Sequence, residues 1–174
     1  MLDTFKELLA HQYEASLSML NLAIAGCPEG SWNASVARLK FCQAAFHAVF
    51  FTDLYLQPGD DIEALKRQAF HVERRADFRD YEELQDRPQV LPYEREFVLS
   101  YLQNVRRKAQ ETIARETAQV LAGPSGFHLR LCSRAELHVY NIRHVQHHAG
   151  QLSLRLRLDA DVDIPWVGHA WKEG

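Results

Sequence analysis

No apolar run in this chain approaches the length of a membrane span. The opening residues, Met1-Leu2-Asp3-Thr4-Phe5-Lys6, lack the charged start, apolar stretch and small-residue cleavage site of a signal peptide. Cysteine is scarce, and Cys27, Cys42 and Cys132 are odd in number and too widely spaced for a disulfide framework or a CxxC metal or redox motif. Positive charge is not in excess either. With 20 Lys and Arg against 23 Asp and Glu the formal charge is -3, which provides no basic field for nucleic acid or an anionic membrane. No internal repeat or hairpin signal is present. These absences predict a cytoplasmic protein with reduced thiols and with neither nucleic acid nor membrane as a partner.

Histidine is what the chain has in quantity: nine in 174 residues, four of them between 138 and 148. One domain, residues 1–174, accounts for the length and is large enough to bury a hydrophobic core without a structural metal. A metal here would therefore serve function rather than folding.

Hydrophobic periodicity predicts an all-α chain with four long helices. The first, at about 4–25, carries Phe5, Leu9, Tyr13, Leu17, Leu20 and Ile24 at spacings of three and four, with Thr4 and Glu7 spaced as a capping box. The second, at about 33–56, is apolar over most of its circumference, as expected of a helix surrounded by others. Residues 58–92 are dense in charge and read as a connection with one or two short helices. A third helix is expected at about 93–121, with Phe97, Tyr101, Val105, Ile113 and Val120 inside. The fourth, at about 133–158, begins with Ser133 and Glu136, again spaced as a capping box. A four-helix bundle accommodates this pattern best.

Within the last helix, Ile142, Val145, Ala149, Leu152 and Leu156 form one stripe at about 100° per residue and define the core face. His144 and His148 lie four residues apart on the flank of that stripe, close enough to share one ion, whereas His147 points away. On the second helix, His47 falls with Val36, Phe51 and Leu54, so it points inward. His47, His144 and His148 are therefore the candidate ligands of one divalent ion. His138 reads as structural or pocket-lining, and Gln151 equally as a donor to His148 or as a surface residue. His11, His71, His128 and His169 read as surface or loop residues, Asp53 and the charges of 60–87 as a solvated face, and the aromatic run Phe46, Phe50, Phe51 and Tyr55 as core rather than a cofactor box, with Phe50 and Phe51 placed to wall the site.

An inward histidine in Phe46-His47-Ala48-Val49-Phe50-Phe51-Thr52-Asp53-Leu54-Tyr55-Leu56, with a late His144-Val145-Gln146-His147-His148-Ala149-Gly150-Gln151-Leu152, resembles the DinB/YfiT-like metalloenzymes over essentially the whole chain. The resemblance implies an up-down-down-up four-helix bundle with a long crossover between helices two and three. It also implies a homodimer and a metal held by His47, His144 and His148. Some members of that family are transferases that use a low-molecular-weight thiol. Three neutral imidazoles leave positions open to a small-molecule substrate, and zinc or nickel suits an all-imidazole set. Two reactions fit: attack of a thiolate on an electrophile, or attack of hydroxide on an ester or amide. No carboxylate lies between His144 and His148 to act as a general base, which favours thiol chemistry over hydrolysis. A non-enzymatic, stress-related metal-binding or sensing protein is the reading from another class.

Overall fold

A computed structural model of the protein describes residues 1–36, 39–79, 81, 91–128 and 132–172. Helix α1 (Leu2–Ala25) buries Leu9, Tyr13, Leu17, Leu20 and Ile24, the stripe expected from their spacing. It starts earlier than the Thr4-Glu7 pair predicts: Met1 is the N-cap and makes no side-chain cap bond. Thr4 thus sits inside the first turn, where its hydroxyl cannot act as the cap.

The segment at 33–56 is not one helix. A single turn, α2 (Glu29–Trp32), is followed by two short antiparallel strands, β1 (Ser35–Val36) and β2 (Leu39–Lys40), with Ser35 opposite Lys40. Helix α3 (Phe41–Tyr55) begins only there, where the Gln43 side chain accepts the Lys40 backbone N–H at 2.8 Å. Asn33 and Ser35, residues that compete with helix by bonding their own backbone, explain the later start. Val36 therefore does not share a helical face with His47.

Two short helices in the charged connection, α4 (Ile62–Lys66) and α5 (Ala69–Glu73), match expectation, and Asp61 caps the first by accepting from the Ala64 N–H at 2.9 Å. The charged stretch Asp86-Arg87-Pro88 lies outside the described residues. Helix α6 (Arg95–Arg115) stops short of the expected end and is followed by a separate turn of helix, α7 (Ala118–Ala122). Glu116 turns extended because Arg134 and His138 hold its carboxylate, and Thr117 caps α7 through the Val120 N–H. Val120, expected inside, is consequently exposed. Helix α8 (Arg134–Ala160) begins with the Ser133–Glu136 capping box as predicted. Of its predicted stripe, Val145, Ala149, Leu152 and Leu156 are buried, while Ile142 is half-buried against them.

The four long helices each pack against two others: α1 against α6 and α8, and α3 against α6 and α8. An apolar core fills the space between them, with Phe46 of α3 stacked on Tyr93 at 3.9 Å between ring centroids. Loops meet tightly where α3 ends and α8 begins. Gly126 has φ 83°, and a Cβ there would run into the Pro58 carbonyl, so glycine alone fits. Among the described residues no helix is long and apolar enough to cross a membrane.

Candidate metal centre

The contact between α3 and α8 brings the predicted triad together. His47 projects from α3 and is buried, while His144 and His148, one turn apart on α8, are half-buried on the flank of its core stripe. One nitrogen from each of the three lies within 4.8 Å of the others, and ring centroids are 5.2 Å apart for His47 and His144 and 4.7 Å for the other two pairs. The Nε2 atoms of His47 and His144 stand 3.2 Å apart. Two nitrogens each about 2.0–2.1 Å from a tetrahedral ion would be separated by about 3.3 Å, so the pair already has ligand spacing. The donor set is nitrogen-only, and among the described residues no carboxylate or thiol joins it. These residues fit a divalent ion of borderline softness, with part of its coordination left open.

Aromatic rings close the buried side. Phe51 lies 4.6 Å from His47 and 6.1 Å from His144, and Tyr55 lies 5.8 Å from His144. Phe50 is fully buried one layer behind Phe51 and touches it rather than the imidazoles. His147 is exposed, its ring 5.2 Å from that of His148, and it is not part of the triad. Gln151 is exposed, and its side chain bonds the His148 ring in the sense that favours the protonated imidazole, so the amide oxygen accepts rather than the amide donating as expected.

Burial pushes the His148 imidazole down from 6.5 to about 4, and the neighbouring His147 adds to the effect while Gln151 opposes it. The ring is thus neutral and ready to ligate at ordinary pH. Between 6.5 and about 4 the unfolded chain takes up a proton at this position that the folded chain refuses, so the metal-free fold loses stability as pH falls through that window. Melting curves of the metal-free protein from pH 7 to 4.5 are expected to fall less steeply for His148→Gln than for the wild type. Parallel curves would show that His148 is not the group responsible.

His138 has a different task. It is buried, its Nε2 meets Glu116 at 2.9 Å and its Nδ1 meets the Tyr13 hydroxyl at 3.2 Å. Arg134 donates to the same Glu116 oxygen at 2.9 Å and to the carbonyls of Tyr55, Leu56 and Gln57 at the end of α3. Burial alone would raise the Glu116 carboxyl, but the bonds from His138 and Arg134 outweigh it and hold the group below its usual range. One turn further along, Asn141 donates to the Thr52 carbonyl at 3.0 Å. Arg134 and Asn141 therefore set the register of α8 on α3, and with it the meeting of His144 and His148 with His47.

A second buried polar cluster corrects the reading of Asp53 and His71 as solvated. Both are fully buried. His71 Nε2 lies 2.8 Å from Asp53 Oδ2, the Tyr101 hydroxyl donates to that oxygen at 2.7 Å, and the Lys108 ammonium pairs with Oδ1. Lys108 also donates to the Asp53 carbonyl at 3.2 Å and to Gln68 at 3.1 Å. Burial would raise the Asp53 carboxyl, yet His71 and Lys108 prevail and keep it low. Burial and the adjacent Asp53 charge push the Tyr101 phenol well above its ordinary value. The sequence carried a signal for this: Asp53 is the lone charge within a helix that is otherwise almost wholly apolar. Six residues, about 240° of helix, separate it from His47, so the cluster faces α6 while the triad faces α8.

His11, His128 and His169 are exposed, as expected, and Cys27 and Cys42 are buried free thiols with Cys132 half-buried. Burial raises the Cys27 thiol to about 11, which makes it inert rather than nucleophilic. No protein-family model, curated protein or solved structure matches this chain.

Proposed function

We propose that this protein is a metal-dependent enzyme of the DinB/YfiT-like kind, an up-down-down-up four-helix bundle that holds one zinc or nickel ion on His47, His144 and His148 and transfers a small thiol to an electrophilic small molecule. The observation that carries the reading is the convergence of three imidazoles, two of them with Nε2 atoms 3.2 Å apart, on the flank of a helix interface. The bundle topology is supported by contacts along the helices. Lys6 at the start of α1 caps the Ala114 carbonyl at the end of α6, and Arg134 at the start of α8 meets the end of α3. Tyr13 and then Met19 of α1 meet His138 and then Gln146 of α8, which gives these two helices the same direction.

A divalent ion in such a site lowers the pKa of a thiol or water and polarises the bond it attacks. Hydrolysis would profit from a carboxylate beside the centre to take a proton from water. The buried carboxylates described here are otherwise engaged, Asp53 by His71 and Lys108 and Glu116 by Arg134 and His138. This favours the thiol reaction, in which a bound ion would hold the thiol as its thiolate at neutral pH, the proton leaving to solvent, beside the rings of Phe51 and Tyr55.

Folding should not depend on the metal, because the core is continuous without it. Chelation is expected to leave the helical circular dichroism nearly unchanged. Metal-loaded protein should then conjugate low-molecular-weight thiols to electrophiles in a rate that chelation abolishes and metal restores. Loss of helical signal on chelation would make the site structural. Retention of metal without any thiol-dependent turnover would favour a sensing or binding role.

A further inference from the structure

On the outer flank of α8 a cavity of 480 Å³ is lined by Tyr140, Arg143, His144, Gln146 and His147. It adjoins the triad, since His144 belongs to both and the His147 ring stands 5.2 Å from that of His148. For a protein of net charge -3 its lining is one-sided: a guanidinium, two imidazoles, an amide and a phenol, with no carboxylate. Most arginines of α6 and α8 have acidic partners, as Arg106 has Glu14 and Arg134 has Glu116, while Arg107 bonds the Asn104 amide. Arg143 is exposed and has no such partner among the described residues. It sits one residue before His144 and one turn before His147, with its forked donors free beside the candidate centre.

We propose that this cavity is the substrate subsite and that Arg143 binds a carboxylate or phosphate group carried by the small molecule whose reacting atom reaches the centre. The inference rests on the metal-dependent reading above. An unpaired guanidinium beside an all-imidazole donor set draws an anion, and its planar fork matches either oxyanion in a bidentate manner. The cavity has room for a molecule of metabolite size.

The test uses the intact protein loaded with cobalt(II), whose visible spectrum changes when a thiolate enters the open positions. Mercaptosuccinate and neutral 2-mercaptoethanol are titrated into the wild type, Arg143→Gln and Arg143→Lys. The charged probe is expected to lose about tenfold in affinity in Arg143→Gln, to recover part of it in Arg143→Lys, and to weaken with salt, while 2-mercaptoethanol and cobalt stoichiometry stay unchanged. Calorimetric titrations with succinate and with inorganic phosphate separate the two oxyanions. An equal ratio of affinities for the two thiols in the wild type and Arg143→Gln, with one cobalt retained, would overturn the anion subsite and leave the metal reading standing. Arg143-dependent succinate or phosphate binding without retained cobalt would do the reverse.

Discussion

Wild-type protein is expected to bind one divalent ion per chain, and His47→Ala, His144→Ala and His148→Ala each to weaken that binding by at least about a hundredfold, since even outer partners of metal ligands cost 10–100-fold. The effect is large because three imidazoles supply the whole donor set, with no carboxylate or thiol among the described residues to take over from a lost one. His147→Ala provides the control. Its imidazole is exposed and neighbours His148 in sequence, yet lies outside the triad, so that variant should keep its metal. Elemental analysis after gel filtration, together with competitive titration, reads both outcomes. Metal loss in His147→Ala equal to that in His148→Ala would mean that α8 presents a different face to α3. Full retention in His47→Ala would leave a pair of histidines on one helix and no shared site.

Replacing Asp53 should have the largest effect on stability. Asp53→Ala leaves the Lys108 ammonium without its carboxylate, strips His71 and the Tyr101 hydroxyl of their common acceptor, and opens a polar hole in a region of full burial. Breaking one side of a buried ion pair costs about 3–5 kcal/mol, which for a domain of this length lowers the melting temperature by about 10 °C. Asp53→Asn should fall by a similar amount, because the amide keeps the shape but not the charge that balances Lys108. The expected loss is one of stability rather than of metal: both variants, measured below their melting point, should hold one ion, because the cluster faces α6 and the triad faces α8. A drop of under about 2 °C would show that the pair contributes no more than an exposed one. Loss of metal from folded Asp53→Asn would instead couple the two clusters through α3.

Residue pattern alone went far in this chain because its decisive signals are local. The i, i+4 spacing of His144 and His148, the apolar stripe that orients them, and the Ser133–Glu136 cap are all set within one helix, and the structure realises each of them. The inward direction of His47 was likewise legible from the apolar residues on its side of α3, even though the helix is shorter than its hydrophobicity suggests. Helix ends were less legible. Asn33 and Ser35 stand in front of α3 and Glu116 behind α6 where the helices break, the last with partners 18 and 22 residues away, since Arg134 and His138 of α8 both bond its carboxylate.

Residue pattern was enough to expect a mostly helical chain and to single out His47, His144 and His148 as imidazoles placed to converge, and the structure brings those three together. Periodicity and spacing suffice for these because a helix maps residue number directly onto direction. It took the packing of the helices to show that His71 and Asp53, which read as solvated groups, share a buried ion cluster with Lys108 and Tyr101, that His138 bonds Glu116, and that Arg134 and Asn141 hold α8 in the register at which the triad meets. A charged residue reveals nothing locally about whether it is buried, since the desolvation cost is met by partners from other helices, and those partners become neighbours only when the helices pack.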